Sequence, residues 1–491
     1  MAERDAPATS RTGVPVGGVG RRDDDRVISR DDVPDRRFVR TRATAPGPSG
    51  PQMLRHLKFI RRDPLGFLQR MTAEYGSVVQ FPIPTPPSYL VSDPAAVRRV
   101  LVDRARDYDK ATVQYRSLSM VTGEGLLTTS GQVWRRQRRM VQPAFHRSGL
   151  EAVVGHAGDG ASALLARWGD VGRGAVIDVD ESMMRVALET VGASLFGTDL
   201  SADADRLARA TLEALDVVVA SAQVPVRLPS WTPSQRRLHS SLADLDGAVD
   251  HMIEARLADP RPPVDLLGML LAAMAGEDPI PRREVRDEVV AFMVAGHETA
   301  ASALTWAMWL LAGDEAAQDR AATEAASVLG GAVPTYDDLE RLPYLRAVID
   351  EAMRLYPPVW LVSRQALTDD VLGGREIPAG SLVIMTPYIA QRDGAVWSEP
   401  TLFNPERFAG GRGAAPGRGG RAQADAEYWP FGLGPRMCIG KDFAYVEAIT
   451  VLAVLLQRVR VSRVPGEPAP RAVPLVTLRP ADALPLVIRP R

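Results

Sequence analysis

The single cysteine of this 491-residue chain, Cys438, sits in the run Tyr428-Trp429-Pro430-Phe431-Gly432-Leu433-Gly434-Pro435-Arg436-Met437-Cys438-Ile439-Gly440. An apolar stretch that predicts a helix over Lys441–Arg458 follows at once. A cysteine near a helix N-terminus meets the positive end of the macrodipole and exposed backbone N–H groups, which favour a metal-binding thiolate. The surrounding glycines let the backbone approach a flat, bulky group, and Arg436 offers a fork of donors to a carboxylate. With no second cysteine, an intrachain disulfide and a zinc or cluster site built on cysteine are both excluded. A lone cysteine is by default a small buried hydrophobe. The pattern Phe-x-x-Gly-x-Arg-x-Cys-x-Gly, however, would arise around it from composition alone with a chance of about two in a hundred thousand.

A second chemical group lies in the longest apolar stretch, Val289–Ala312, which carries Ala295-Gly296-His297-Glu298-Thr299 near its middle. Burying an acid and an alcohol there costs free energy unless they have partners. Gly296 weakens the helix locally, and Thr299 can bond back to a carbonyl one turn earlier, widening a groove able to hold dioxygen. His297 has no metal-ligand partner at helical spacing and reads as a hydrogen-bonded structural histidine.

Two further sets concern charge. Glu351 and Arg354 lie three apart in Val348–Pro358, on one helix face, and Phe403-Asn404-Pro405-Glu406-Arg407-Phe408 supplies another arginine downstream. Trp134 and Arg138 lie four apart in the basic run Gln132–Met140, while Arg135, Arg136 and Arg139 read as an amphipathic surface.

The cysteine loop resembles the haem-binding signature of the cytochrome P450 family, and the resemblance covers nearly all of residues 46–491. It implies a mainly α fold with a minor β part, a triangular helical body around a buried haem b with Cys438 as its proximal thiolate. Such a ligand pushes electron density onto iron and favours O–O cleavage. The resemblance assigns Phe431, Gly434, Arg436, Gly440 and Gly296 to the haem pocket, and Trp134, Arg138, Arg364 and Arg436 to its propionates. Thr299 falls to stabilising the iron-bound hydroperoxide and Glu298 to relaying protons from water. Ala300 departs from the family pattern, since many relatives carry a second threonine there, and this leans the relay on Thr299, Glu298 and water. Glu351, Arg354 and Arg407 match a buried network that locks the segment leading to the cysteine. Substrate-facing positions fall in the loop 112–128, around Ala291–Thr299 including Ala295, at Val359, Trp360, Leu361 and Val362, and near Leu475–Thr477 including Val476, with Trp360 adding bulk close to the iron. The implied activity is a monooxygenase oxidising a hydrophobic small molecule with O2, in secondary metabolism. Coupling or desaturation by the same haem chemistry and a non-catalytic haem-thiolate binding protein stay open. Glu298-Thr299 argues against a peroxide-driven enzyme, in which an Arg-Pro pair tends to replace it.

The elements that must position these groups follow from periodicity and turn signals. Residues 1–45, rich in charge and turn formers, read as a disordered leader, with one folded domain from 46 to 491. The stretch from Pro46 to Asp93 reads as turns and short strands such as Val78–Phe81 and Tyr89–Val91. Helices are expected at about 94–104, 131–141, 150–168, 180–196, 203–222, 235–258, 264–275, 284–313, 314–329 and 343–356. Beyond Pro357 the runs Leu382–Met385, Val476–Leu478 and Leu486–Ile488 read as strands, and 409–426 as a surface loop. Formal net charge is −1 with mixed signs, so nothing global draws the chain to nucleic acid or an anionic membrane. The N-terminus shows no apolar export or anchor segment, which predicts a cytoplasmic protein. No flavin or iron–sulfur module is visible, so electrons are expected from a separate ferredoxin or flavodoxin and its reductase. A basic face near Lys441 and Arg135–Arg139 is suited to receive it.

Overall fold

The computed structural model describes residues 43–83, 85–170, 172, 174–198, 232–259, 262, 264–409 and 426–491. Their helices are α1 (Gly50–Arg62), α2 (Pro64–Tyr75), α3 (Pro94–Arg98), α4 (Val113–Thr122), α5 (Gly131–Val141), α6 (Arg147–Asp170), α7 (Val179–Phe196), α8 (Pro233–Ala258), α9 (Leu266–Met274), α10 (Arg282–Leu311), α11 (Glu315–Leu329), α12 (Pro343–Leu355), α13 (Pro387–Ala390) and α14 (Lys441–Arg458). The strands are β1 (Val78–Phe81), β2 (Ser88–Val91), β3 (Tyr108–Asp109), β4 (Val176–Asp178), β5 (Val362–Ala366), β6 (Asp370–Leu372), β7 (Arg375–Ile377), β8 (Leu382–Met385), β9 (Val459–Arg463), β10 (Ala472–Pro474), β11 (Leu478–Pro480) and β12 (Pro485–Pro490). This is the expected helical body with a minor β part.

The long central helix α10 runs through Gly296, so that glycine does not end it. It stops where Asp314 begins the next helix by accepting the Ala317 N–H at 3.0 Å. Its apolar faces join α6, α7, α11, α12 and α14 in the largest core, and α14 lies alongside it, carrying the end of the cysteine loop with it. The principal sheet has the order β1-β2-β8-β5-β3, with β2 and β8 parallel and the other pairs antiparallel. Strand β5 leaves the double proline Pro357-Pro358 and enters this sheet opposite β8, pairing Arg364 with Val383.

Three expectations need correction. The stretch 46–93 holds α1 and α2 as well as its strands; Pro64 lies at the first helical position and Asp63 caps the helix by accepting the Gly66 N–H at 2.9 Å, so residues that read as turn signals are a helix start. Residues 113–122 of the presumed loop 112–128 form α4. The strand expected at Val476–Leu478 begins only at Leu478, because Leu475 and Thr477 close the turn of the β10–β11 hairpin. Of the supposed leader, residues 1–42 lie outside the described residues, while Thr44 and Ala45 already pack: the Thr44 N–H donates to Gln80 Oε1 at 2.8 Å and Ala45 is buried. The helix expected at 203–222 and the loop 409–426, except its two end residues, also lie outside.

Candidate active site

One cavity gathers most of the residues singled out above. The cysteine loop supplies Phe431, Arg436, Cys438 and Gly440 to its wall; α10 supplies Ala291, Phe292, Ala295, Gly296 and Thr299; α5 supplies Trp134 and Arg138. Strand alternation sends Val362 and Arg364 of β5 to the same side, and both reach the cavity. The spacing along α10 is that of one helix face, which leaves Glu298 on another. Among α10 residues lining the cavity, Thr299 alone carries a hydroxyl, and it donates to the Ala295 carbonyl at 2.7 Å, as its position predicted.

The cysteine loop is a tight structure. The Cys438 N–H donates to the Phe431 carbonyl at 2.9 Å. Gly434 has φ +67, and a Cβ there would lie 2.1 Å from the Leu101 carbonyl oxygen, so only glycine allows the loop to press on residues 99–103. The sulfur of Cys438 is exposed, but to the cavity, with protein around it elsewhere. That enclosure pushes the thiol above the ordinary cysteine range, outweighing the Gly440 N–H, Arg138 and Lys441, which act the other way. A cation at the sulfur would favour the thiolate.

Four basic groups crowd the cavity: Lys110, Arg138, Arg364 and Arg436. Arg436 lies 3.9 Å over the Trp134 ring and donates to the Thr129 carbonyl at 2.9 Å. Arg138 donates to the Met437 carbonyl at 3.1 Å, and Arg364 to the Ser363 carbonyl at 2.8 Å. Burial, and then Arg364, push Arg436 down to about 9, while burial and the arginines Arg436 and Arg364 hold Lys110 well below the ordinary lysine range. Cations gathered in an enclosed space disfavour one another, and an anionic guest relieves them. The donor set fits a flat group that meets a sulfur on one face and carries carboxylates at its edge.

Sequence reasoning missed Lys110, which donates to the Leu127 carbonyl at 2.8 Å and sits 4.8 Å over the Tyr115 ring. The signal was there: the chain has three lysines against dozens of arginines, so each lysine is a departure from a strong compositional preference. It also missed Glu447 on α14, a cavity residue whose carboxyl is fully buried and pushed well above the ordinary range by that burial.

Other expected residues go elsewhere. Trp360, Leu361 and Val476 do not line the cavity; the Trp360 indole donates to the Leu475 carbonyl at 2.8 Å, so its bulk closes the β10–β11 hairpin instead of approaching a ligand. Glu298 is buried on the far side of α10, where Oε2 accepts from Thr477 Oγ1 at 3.2 Å. His297 Nδ1 meets the Met293 carbonyl at 2.8 Å, the structural role expected of it. Arg136 is not a free surface charge, since it pairs with Glu284 at 2.7 Å. The Glu351 network is present and buried: Arg354 meets both oxygens of Glu351 at 2.7 and 2.8 Å, and Arg407 reaches it at 3.3 Å.

Residues 45–484 match the family described as Cytochrome P450. The chain belongs to the cytochrome P450 family. It is 34% identical over 432 residues to cyclooctatin synthase of Streptomyces melanosporofaciens, covering 85% of this chain and 90% of that one. It is also 34% identical over 433 residues to cyclooctat-9-en-7-ol 5-monooxygenase of the same organism, covering 87% and 91%. In three dimensions it matches the crystal structure of CYP175A1 from Thermus thermophilus with a TM-score of 0.73 and 32% identity, over 91% of this chain and all of that one. P450 chemistry of the oxidoreductase kind, and haem as the cofactor, come with the family. Among the described residues no helix of this P450 is long and apolar enough to cross a membrane.

Proposed function

We propose that this P450 is a haem-thiolate monooxygenase in which Cys438 ligates the iron of haem b and the cavity beside Thr299 receives a hydrophobic small molecule. The observation that carries the reading is that the only thiol of the chain, the Thr299 hydroxyl and four basic side chains open on one enclosed space. Haem with a thiolate ligand supplies reductive activation of O2 when bound. Around it, Lys110, Arg138, Arg364 and Arg436 would hold the propionates, and Trp134 would keep Arg436 in place by stacking. Thr299 holds a proton or a water at Oγ1 on the substrate side, and Glu298 feeds protons from the opposite face of α10, where Thr477 orients it.

The substrate side of the cavity is apolar, walled by Leu126, Leu127, Leu195, Ala291, Phe292, Ala295, Val359 and Val362. Such a wall supports an apolar ring skeleton with few polar groups. One relative is named for oxygenating cyclooctat-9-en-7-ol, an unsaturated cyclic alcohol, and that supports the same substrate class here. Electrons would come from a ferredoxin or flavodoxin docking on the side of Cys438, where Arg139 and Met437 are exposed and Lys441 half-buried.

The deciding experiment is a titration of the purified ferric protein with cyclic hydrocarbons and their alcohols, fatty acids, macrolides and aromatic compounds, following the haem Soret band. A saturable high-spin shift with one class, and turnover of that class with ferredoxin, reductase and O2, is the expected result. A protein that takes up no haem, or whose spectrum is unchanged in Cys438→Ser, would overturn the proposal.

A further inference from the structure

The loop between α4 and α5 contributes Leu126 and Leu127 to the cavity wall, and its backbone is held by side chains of α10. Asp287 Oδ2 accepts the Glu124 N–H at 2.9 Å, and both oxygens of Glu288 accept the Leu126 N–H at 3.1 Å. The two acids are 3% and 0% exposed, so water does not share these bonds. The contact is close enough to dictate sequence. Gly123 has φ +61, and a Cβ on it would meet the Asp287 carboxylate carbon at 2.1 Å. A Cβ on Gly125 would lie 3.2 Å from Cβ of Ala291, which itself lines the cavity. Between the acids and α4, Arg286 donates to Asp287 Oδ1 at 3.0 Å and to the Val121 carbonyl at 3.1 Å.

Two adjacent buried carboxyls are an expensive way to fill space that leucines would fill well. What they supply, and leucines do not, is a directed hold on two backbone N–H groups of a cavity wall. They stand on the same helix as Thr299, so the wall is referenced to the reacting end of the cavity.

We infer that Asp287 and Glu288 are positioning residues that dock the loop 123–127 on α10 and thereby set the size of ligand the cavity accepts. The inference rests on the proposed substrate role of the cavity. A ligand that displaces Leu126 or Leu127 must break the bonds to Glu124 and Leu126. A ligand that fits beneath them meets a wall already in place, and its binding costs no ordering of the loop. Burial, with Glu284 and Asp287 nearby, pushes the Glu288 carboxyl up to about 8, against the pull of the Leu126 N–H and Arg136. It is therefore mainly neutral near pH 7, and Gln is its conservative replacement.

The test compares Glu288→Ala, Glu288→Gln and Gly123→Ala with the parent, each loaded with haem. Hydrogen exchange is read at residues 123–127, and dissociation constants are measured for a ligand series graded in size. Glu288→Ala removes the acceptor and Gly123→Ala pushes the loop off from the other side. Both are expected to speed exchange of the segment about tenfold or more and to weaken compact ligands about tenfold, while bulky ligands lose little or gain. Glu288→Gln should keep parental exchange and affinities. Unchanged exchange in Glu288→Ala, or faster exchange with the parental size profile, would show a structural staple without a role in selection and overturn the inference. If the parent responds to no ligand at all, the substrate reading of the cavity fails and this inference falls with it; a normal parent with unresponsive variants sinks the inference alone.

Discussion

Cys438 carries a thiol that its surroundings push toward the neutral form, so its chemistry depends on what it binds. Replacing it by Ser should leave the basic cluster able to retain some haem but remove the thiolate signature of the ferrous carbonyl spectrum, which absorption spectroscopy checks directly. Lys110 makes a sharper test of the cluster. Lys110→Met deletes one charge-assisted contact, worth about 1.5–3 kcal/mol, so haem transfer to an acceptor globin should accelerate at least about tenfold. Thr299 is the hydroxyl that α10 turns into the cavity. Thr299→Ala should lower product formed per O2 consumed by about tenfold or more, with hydrogen peroxide appearing in its place and ligand affinity held. Measuring O2 uptake, peroxide and product together separates this from a loss of binding.

Helix α12 gathers the segments that precede the cysteine loop through Glu351 and Arg354. The Arg354 guanidinium is fully buried and committed: besides Glu351 it donates to the Gln391, Pro400 and Leu402 carbonyls at 2.9, 2.7 and 3.1 Å. The Asn404 N–H closes on Glu351 Oε1 at 2.9 Å, so three segments meet on one carboxylate. A second buried station on the same helix, Asp350, takes the hydroxyl of Tyr428, at the head of the cysteine loop, at 2.9 Å and that of Tyr445 of α14. Glu351→Leu strands two arginines and should cost about 3–5 kcal/mol, read as a lower urea midpoint with an unchanged slope. The Glu351–Arg354 pair was legible because three apart on a helix fixes a meeting by local geometry, while Arg407, 56 residues away, came only with the family resemblance. Asp350 has a local partner too, Arg346 one turn earlier, but its ties to Tyr428 and Tyr445 were not legible, since both lie about eighty or more residues downstream. The same contrast runs through the elements: α5, α14, β1 and β8 fall where periodicity put them, whereas α1 and α2 hide behind prolines and glycines that serve equally as helix starts and as turns.

For the molecule as a whole, two buried groups shape stability against pH in opposite directions. Burial holds the His297 imidazole down to about 4, against about 6.5 in an unfolded chain. Its contribution is complete above about pH 6.5 and drains as pH falls toward 4, by about 3 kcal/mol. Glu288, raised to about 8, favours the folded state fully below about 4.3 and loses that contribution as pH rises through 8. The two oppose one another in the acid range, and above about pH 6.5 the loss belonging to Glu288 continues alone of the pair up to about 8. Urea unfolding across pH should show His297→Gln removing the acid decline and Glu288→Gln removing the alkaline one; parallel curves for parent and variants would refute the assignment. The sequence by itself determined the family, the mainly helical body, the thiolate candidate and the framework ion pairs, because those depend on residue type and on spacing within one loop or one helix. The tertiary structure decided which side chains look into the cavity. Val359 does and its neighbour Trp360 does not; Thr299 does while Glu298 faces Thr477; Lys110 arrives from a segment that no motif marks. Facing is settled by contacts between segments far apart in the chain, such as Glu288 with Leu126, and local periodicity carries no term for them.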